Sequence, residues 1–247
     1  MENNIKEFFF EPHIEYPLFK VYSFKKKYLH ILESLNKLEN YVKAFLINRD
    51  TSLDNYEYSE VSIFILDGIT PHIYEIIKKF HQNSNLTIII STKSLNIERP
   101  VFDCYYIIQN QNLIFNKIKT IIEYFKIPCY ISIDTEDLCN MFRNIRILNV
   151  MKIFSIPKTK NNTVKDLLND IIDKLSHRLK ISTTNKLFIR LLLTQKLKES
   201  ISGQDLYVFT KYTSSLPSHI DIRWDFDIID SMKEDQLKLL VFNLKEI

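Results

Sequence analysis

The chain has 247 residues, 45% of them hydrophobic, and its 33 Lys and Arg against 30 Asp and Glu leave a formal net charge of +3. That length supports one large domain or two small ones, each able to bury a core, while so small a charge gives no argument for nucleic acid by itself. Gly68 and Gly203 are the only glycines, and phosphate-cradling loops need glycines so that backbone N–H groups can approach the anion, which excludes a Walker loop and a Rossmann fingerprint.

Residues 1–17 carry two prolines and the cluster Phe8 to Phe10, and read as an N-terminal arm. "LFKVYSF" (18–24) alternates as a strand does, and the following "KKKYLHILESLNKLENYV" places Tyr28, Ile31, Leu32, Leu35 and Leu38 at helical spacing. "VKAFLIN" (42–48) is a second strand, followed by a loop over 49–58. "EVSIFILDG" (60–68) and "NLTIIIST" (85–92) are nearly continuous apolar runs, as expected of strands covered on both faces. Between them "ITPHIYEIIKKFHQ" opens with Thr70 as N-cap and Pro71 at the first helical position. "FDCYYIIQ" (102–109) is another strand and "NLIFNKIKTIIEYF" (112–125) a helix. A strand or loop at 129–133 then runs into a helix from about Thr135.

The remainder predicts a strand at 145–156, an amphipathic helix at 163–179, and an ambiguous stretch at 185–200. Three strands close it, "DLYVFTKY" (205–212), "HIDIRWDFDII" (219–229) and "QLKLLVFNL" (236–244), the last two as an antiparallel pair. Alternation of strand and helix through residue 110 argues for a largely parallel α/β sheet with helices on both faces. A connecting helix and an α+β half follow.

No apolar run approaches the roughly 18 residues of a spanning helix, and the N-terminus lacks a signal peptide's charged n-region and cleavage site. Cys104, Cys129 and Cys139 have no CxxC spacing and read as buried thiols in a reducing cytoplasm. The six histidines form no HxxxH or HExxH pair, so neither a metal nor a cofactor is expected.

In order, these segments resemble the FtsZ/tubulin family. "FKVYSF" and its helix sit where that family has its first strand and glycine-rich first loop, and "AFLINRDTSLD" is similar to the strand ending in an Asn-Thr-Asp loop, here Asn48, Arg49 and Asp50. The stretch from Val61 resembles the strand entering the signature loop, with a later strand leading to a Thr-Lys dipeptide, here Thr92 and Lys93. "FDCYYIIQNQNLI" resembles the strand and turn before the central helix, and 221–244 the final strand pair. The resemblance implies an arm at 1–17, a degenerate GTPase-type α/β domain at 18–111, a central helix at 112–127 and an α+β C-terminal domain at 128–247.

The departures carry the functional expectation. The first loop reads Phe24-Lys25-Lys26-Lys27, the signature loop is reduced to Asp67-Gly68-Ile69-Thr70, and the third phosphate loop is missing between Asp54 and Tyr58. Each loss removes backbone amides from the phosphate path, so Lys25, Lys26, Lys27, Asn48, Asp67, Gly68 and Thr70 mark a degenerate nucleotide site. By contrast, "SIDTED" (132–137) keeps two aspartates, Asp134 and Asp137, at the spacing of the family's catalytic T7 loop, with Ser132 replacing its leading Asn. In the family these aspartates act on the neighbouring subunit's GTP. The resemblance therefore implies a non-GTPase protein of cell division or the cytoskeleton. Its partner would be FtsZ or an FtsZ-like filament, and a homo-oligomer is also compatible.

Plainer readings stand beside these. Asp134 and Asp137 also suit a helix N-cap and first turn. Lys25 to Lys27 are a solvated turn, or one of them pairs with Asp67 and fills the vacated phosphate space. The stretch 174–198, with seven Lys or Arg and no acid, is a core element with a charged outer face, or it serves an adaptor for a membrane surface or nucleic acid. A residual nucleotide-hydrolysing enzyme is the third alternative. Trp224 reads as an inward strand anchor.

Overall fold

The apolar runs of the first half become the middle of one sheet. In the computed structural model, which describes residues 18–48, 58–95, 101–126, 139–229 and 235–246, strands β1 (Phe19–Ser23), β2 (Val42–Leu46), β3 (Ser59–Leu66), β4 (Ser84–Ser91) and β5 (Cys104–Ile107) are parallel in the order β2-β1-β3-β4-β5. β1 and nearly all of β3 and β4 are buried, because helices cover both faces of a parallel sheet. Helix α1 (Leu29–Leu35) follows β1 through a short 3-10 turn, and α2 (Pro71–Gln82) follows β3. The Thr70 hydroxyl accepts from the Ile73 amide at 3.3 Å, with Pro71 inside the first turn, so α2 begins where its sequence places it.

Helix α3 (Ile114–Lys126) links this half to the next. Strand β6 (Ile145–Phe154) continues the sheet parallel to β5. Helix α4 (Val164–Arg178) follows with a capping box between Thr163 and Asp166. Then come β7 (Lys186–Leu193), α5 (Gln195–Ser200), α6 (Gly203–Ser215), β8 (Asp221–Ile228) and β9 (Lys238–Glu246). Among the described residues the order is β2-β1-β3-β4-β5-β6-β9-β7-β8, a mixed α/β sheet of nine strands.

Two expectations are corrected here. Residues 205–212 lie inside helix α6, not in a strand. Ser202 and Asp205 form a reciprocal capping box, and Phe209 and Thr213 recur on the buried face four residues apart. Strands β8 and β9 are not an antiparallel pair. β9 lies between β6 and β7, antiparallel to both, and β8 pairs parallel with β7 at the edge. Burial explains the choice: β9 is buried along its first seven residues and needs neighbours on both sides, whereas β8 alternates with exposed Asp221 and Arg223, as edge strands do. The ambiguous stretch 185–200 resolves into β7 followed by α5. Trp224 is partly buried against Phe209, with ring centroids 5.1 Å apart.

The basic stretch 174–198 is half interior. Arg190, at 0% exposure, lies in the middle of β7 and is bound by Asp225 on β8. Lys174 pairs with Asp170, Lys186 with Glu246 and Lys196 with Asp235. Asp225 and Asp235 come from the chain just after it, where residues 199–235 hold eight acids, so the basic stretch is neutralised across the fold. Cys104 and Cys139 are buried, while Cys129 lies outside the described residues. Among the described residues no helix is long and apolar enough to cross a membrane.

Candidate functional site

In an open parallel sheet the crevice for a ligand lies beyond the carboxyl ends of the strands, where neighbouring strands send their connections in opposite directions. Here that point is between β1, whose chain turns toward β2, and β3, whose chain turns toward β4. Three strand ends converge on it. β1 delivers Phe24 to Tyr28, β3 delivers Asp67 to Thr70, and β4 delivers Thr92 and Lys93.

Asp67 is the hub. Its Oδ1 accepts from the Tyr28 hydroxyl at 2.6 Å, from the Thr92 hydroxyl at 3.0 Å and from Lys27 Nζ at 3.0 Å, and Lys27 also lies 2.8 Å from Oδ2. Tyr28 is buried, which fixes its hydroxyl, while the Lys27 side chain keeps 44% of its surface exposed. Burial alone would raise the Asp67 carboxyl, but the hydrogen bonds from Lys27, Tyr28 and Thr92 outweigh it and hold the group below the ordinary carboxylate value. The same bond to Asp67 raises the Lys27 ammonium. Burial, then Asp67, raises Tyr28.

Four backbone amides around this hub bond inward. The Lys25 amide donates to Ser23 Oγ at 3.3 Å and the Lys93 amide to Ser91 Oγ at 3.2 Å, a device repeated at the ends of β1 and β4. The Tyr28 amide donates to the Lys25 carbonyl, and the Ile73 amide to Thr70. A phosphate cradle needs such amides free and aimed at the anion. A carboxylate at its centre also repels a phosphate.

Of the residues singled out from sequence, the structure brings Lys27 and Asp67 together. Lys25 and Lys26 are exposed, Thr70 caps α2, and Asn48 is exposed beyond β2, two strands from β3. Gly68 has an ordinary φ, and nothing lies within 4 Å of where a Cβ would stand. Gly68→Ala is therefore expected to stay within about 0.5 kcal/mol of wild type, on the stabilising side, as read by urea denaturation. Ser132, Asp134 and Asp137 lie outside the described residues. Their flanks are Lys126, which bonds Glu39 at 3.1 Å, and the buried Phe142.

Tyr28 and Thr92 were missed as members of the hub. Tyr28 reads as one more apolar position of a helix, and Thr92 only as half of a dipeptide. The signal that finds both is positional, since Tyr28 follows β1 at the switch point and Thr92 follows β4, the next strand beyond β3. His81 gains a partner at a different place, with Nδ1 3.5 Å from Asp103, whose carboxylate also accepts the Thr87 amide at 2.7 Å. Among the described residues no three His, Cys, Asp or Glu side chains gather as a metal site would.

The depressed Asp67 carboxyl fixes the sign of a pH effect. Its folded value lies below its unfolded one, so its stabilisation is complete above about pH 4, the unperturbed aspartate range, and is lost as pH falls through the folded value. The stability difference between wild type and Asp67→Asn should therefore shrink below pH 4 and stay constant from pH 5 to 8.

No protein-family profile and no curated protein sequence matches the chain. Solved structures do. The GDP-form protofilament of TubZ from Bacillus thuringiensis serovar israelensis matches with a TM-score of 0.58 and 9% identity, covering 93% of this chain and 86% of that one. A GTPγS-form protofilament of the same protein matches at 0.54 and 8% identity, over 93% and 87%. An empty FtsZ dimer from M. jannaschii is similar over 76% of this chain at 13% identity, with a TM-score of 0.36, too low to argue from, and the chain spans 58% of its length. At these identities the likeness speaks for fold. The protein has the FtsZ/TubZ-like, tubulin-type fold that the order of its sequence segments implied.

Proposed function

We propose that this chain works by protein–protein contact on a tubulin-type filament in the cytoplasm, without binding or hydrolysing GTP itself. The observation that carries this is the Asp67 hub. At the crevice where a phosphate would sit, a carboxylate is held by Lys27, Tyr28 and Thr92. The segment holding Asp134 and Asp137 is the contact such a chain would offer to a filament end, capping or modulating an FtsZ-like polymer in division or cytoskeletal regulation. Co-sedimentation with FtsZ filaments and GTP tests this. Substoichiometric chain should change polymer length or GTP turnover, and Asp134→Ala/Asp137→Ala should abolish the change; no binding and no change would remove the proposal.

One observation favours a second reading. The Lys27–Asp67 pair is half exposed on the lysine side, so its opening would free an ammonium for phosphate and a carboxylate for a cation, as a residual nucleotide enzyme requires. Saturable GTP or ATP binding by the isolated chain would favour it. The adaptor reading loses ground, because four cations of the 174–198 stretch already have acidic partners.

A further inference from the structure

Strand β8 is the last of the sheet, and among the described residues it pairs with β7 alone. Its outer side is a row of backbone donors and acceptors that can template another strand. Two bonds at its ends fix which groups face out. The Asp221 amide donates to the Asn185 carbonyl and the Ile229 amide to the Leu193 carbonyl, each at 2.8 Å. Successive residues of a strand address opposite neighbours. Odd-numbered positions therefore bond β7, and Ile222 and Trp224 turn their N–H and C=O groups to the open edge.

An edge guarded by charges of one sign repels a copy of itself, because like charges directly opposite destabilise a strand pair. β8 instead carries both signs two positions apart. Asp221 and Arg223 share a face, are both exposed, and meet each other only loosely, at 3.7 Å. An antiparallel copy centred on Ile222 sets each Asp221 directly opposite the other copy's Arg223. Ile222 then exchanges both backbone bonds with its own counterpart. The two charged residues fall at the adjacent non-hydrogen-bonded position, where side chains approach most closely. Neighbouring registers lack this match. Centring on Arg223 opposes two arginines. Centring on Trp224 opposes Asp221 with Asp227 and asks Asp225, already held by Arg190, to serve a second arginine. We propose that β8 is a self-association edge, through which two copies pair antiparallel about Ile222 with Asp221 of each facing Arg223 of the other. The contact lies in the plane of the sheet, is isologous and closes at two copies. It uses no residue of the Asp67 hub.

Sedimentation velocity of the full chain across the micromolar range tests it. A monomer–dimer equilibrium that weakens with added NaCl is expected, because salt screens charge pairs at the surface. Asp221→Arg and, separately, Arg223→Asp should each weaken the dimer about tenfold or more, since each turns two attractive cross-strand pairs into two repulsive ones. Both side chains are exposed, so neither reversal threatens the fold. Mixing the two variants should restore a dimer, now of unlike chains, because every arginine then faces an aspartate. The combined exchange Asp221→Arg/Arg223→Asp in one chain should restore it as well. A monomer at every concentration overturns the proposal, as does a dimer that neither reversal weakens or a mixture that fails to recover.

Discussion

Asp225→Ala is expected to cost about 3–5 kcal/mol, the range for breaking one side of a buried ion pair, and to lower the melting temperature by roughly 10 °C in a chain of this size. The cause is Arg190. Its guanidinium is fully buried, with Nε 3.1 Å from both Asp225 carboxylate oxygens, Nη2 2.9 Å from one of them, and Nη1 donating to the Tyr124 carbonyl at 2.7 Å. Remove that carboxylate and the buried charge loses the ion pair that holds it. Replacing both partners, as Arg190→Met with Asp225→Leu, should recover most of the loss, because apolar side chains of similar volume commonly match or exceed a buried pair. Urea denaturation of the two single variants and the double variant distinguishes the two costs. A small loss in Asp225→Ala would mean that Arg190 reaches water.

The second large effect is at Phe142. It is fully buried, with ring centroids 5.2 Å from Phe125, 6.3 Å from Tyr124, 5.5 Å from Phe188 and 4.9 Å from Phe242. It therefore ties the segment after residue 138 to α3 on one side and to β7 and β9 on the other. Phe142→Ala should cost about 3–5 kcal/mol, as large aromatic truncations do, whereas Phe142→Leu should recover more than half. The functional consequence concerns the acids at 134–137, whose downstream flank Phe142 anchors. In the co-sedimentation assay, Phe142→Leu should weaken the effect on filaments less than Asp134→Ala/Asp137→Ala does, if those side chains make the contact.

Arg190 also marks where sequence reading stops. Parallel strands buried on both faces appear as unbroken apolar runs, so β3, β4 and the order of elements around them were legible, and with them the tubulin-type arrangement. A lone Arg inside "KLFIRLLLT" has no such signature, since its acid lies 35 residues away on a strand whose pairing the sequence does not state. The strand-like run "DLYVFTKY", rich in aromatic and β-branched residues, suggested a strand, yet Ser202 and Asp205 were a readable capping box that outweighed it. The switch-point crevice was half legible. In the sequence, one of Lys25, Lys26 and Lys27 reads as able to pair with Asp67 and fill the space, beside a plain solvated turn. That Lys27 is the one, and that Tyr28 and Thr92 join it, came only once β1, β3 and β4 were side by side.

The hub also explains why two glycines suffice. A loop that wraps a phosphate needs positive φ or close backbone approach, and among the described residues the only positive φ outside glycine is at Asn144, far along the chain from the crevice. Side chains have taken over the work of closing the edge. Asp67→Ala should leave the Tyr28 hydroxyl and the Lys27 ammonium without their acceptor, at about 1–3 kcal/mol, without creating a cradle in its place.

The most direct measurement is isothermal titration of the purified full chain with GTP and with GDP, each with and without Mg²⁺. The account predicts no saturable binding up to millimolar nucleotide, in wild type and in Asp67→Ala alike. Stoichiometric binding in the micromolar range, weakened by Lys27→Ala, would contradict it and make this chain a nucleotide-binding member of the fold.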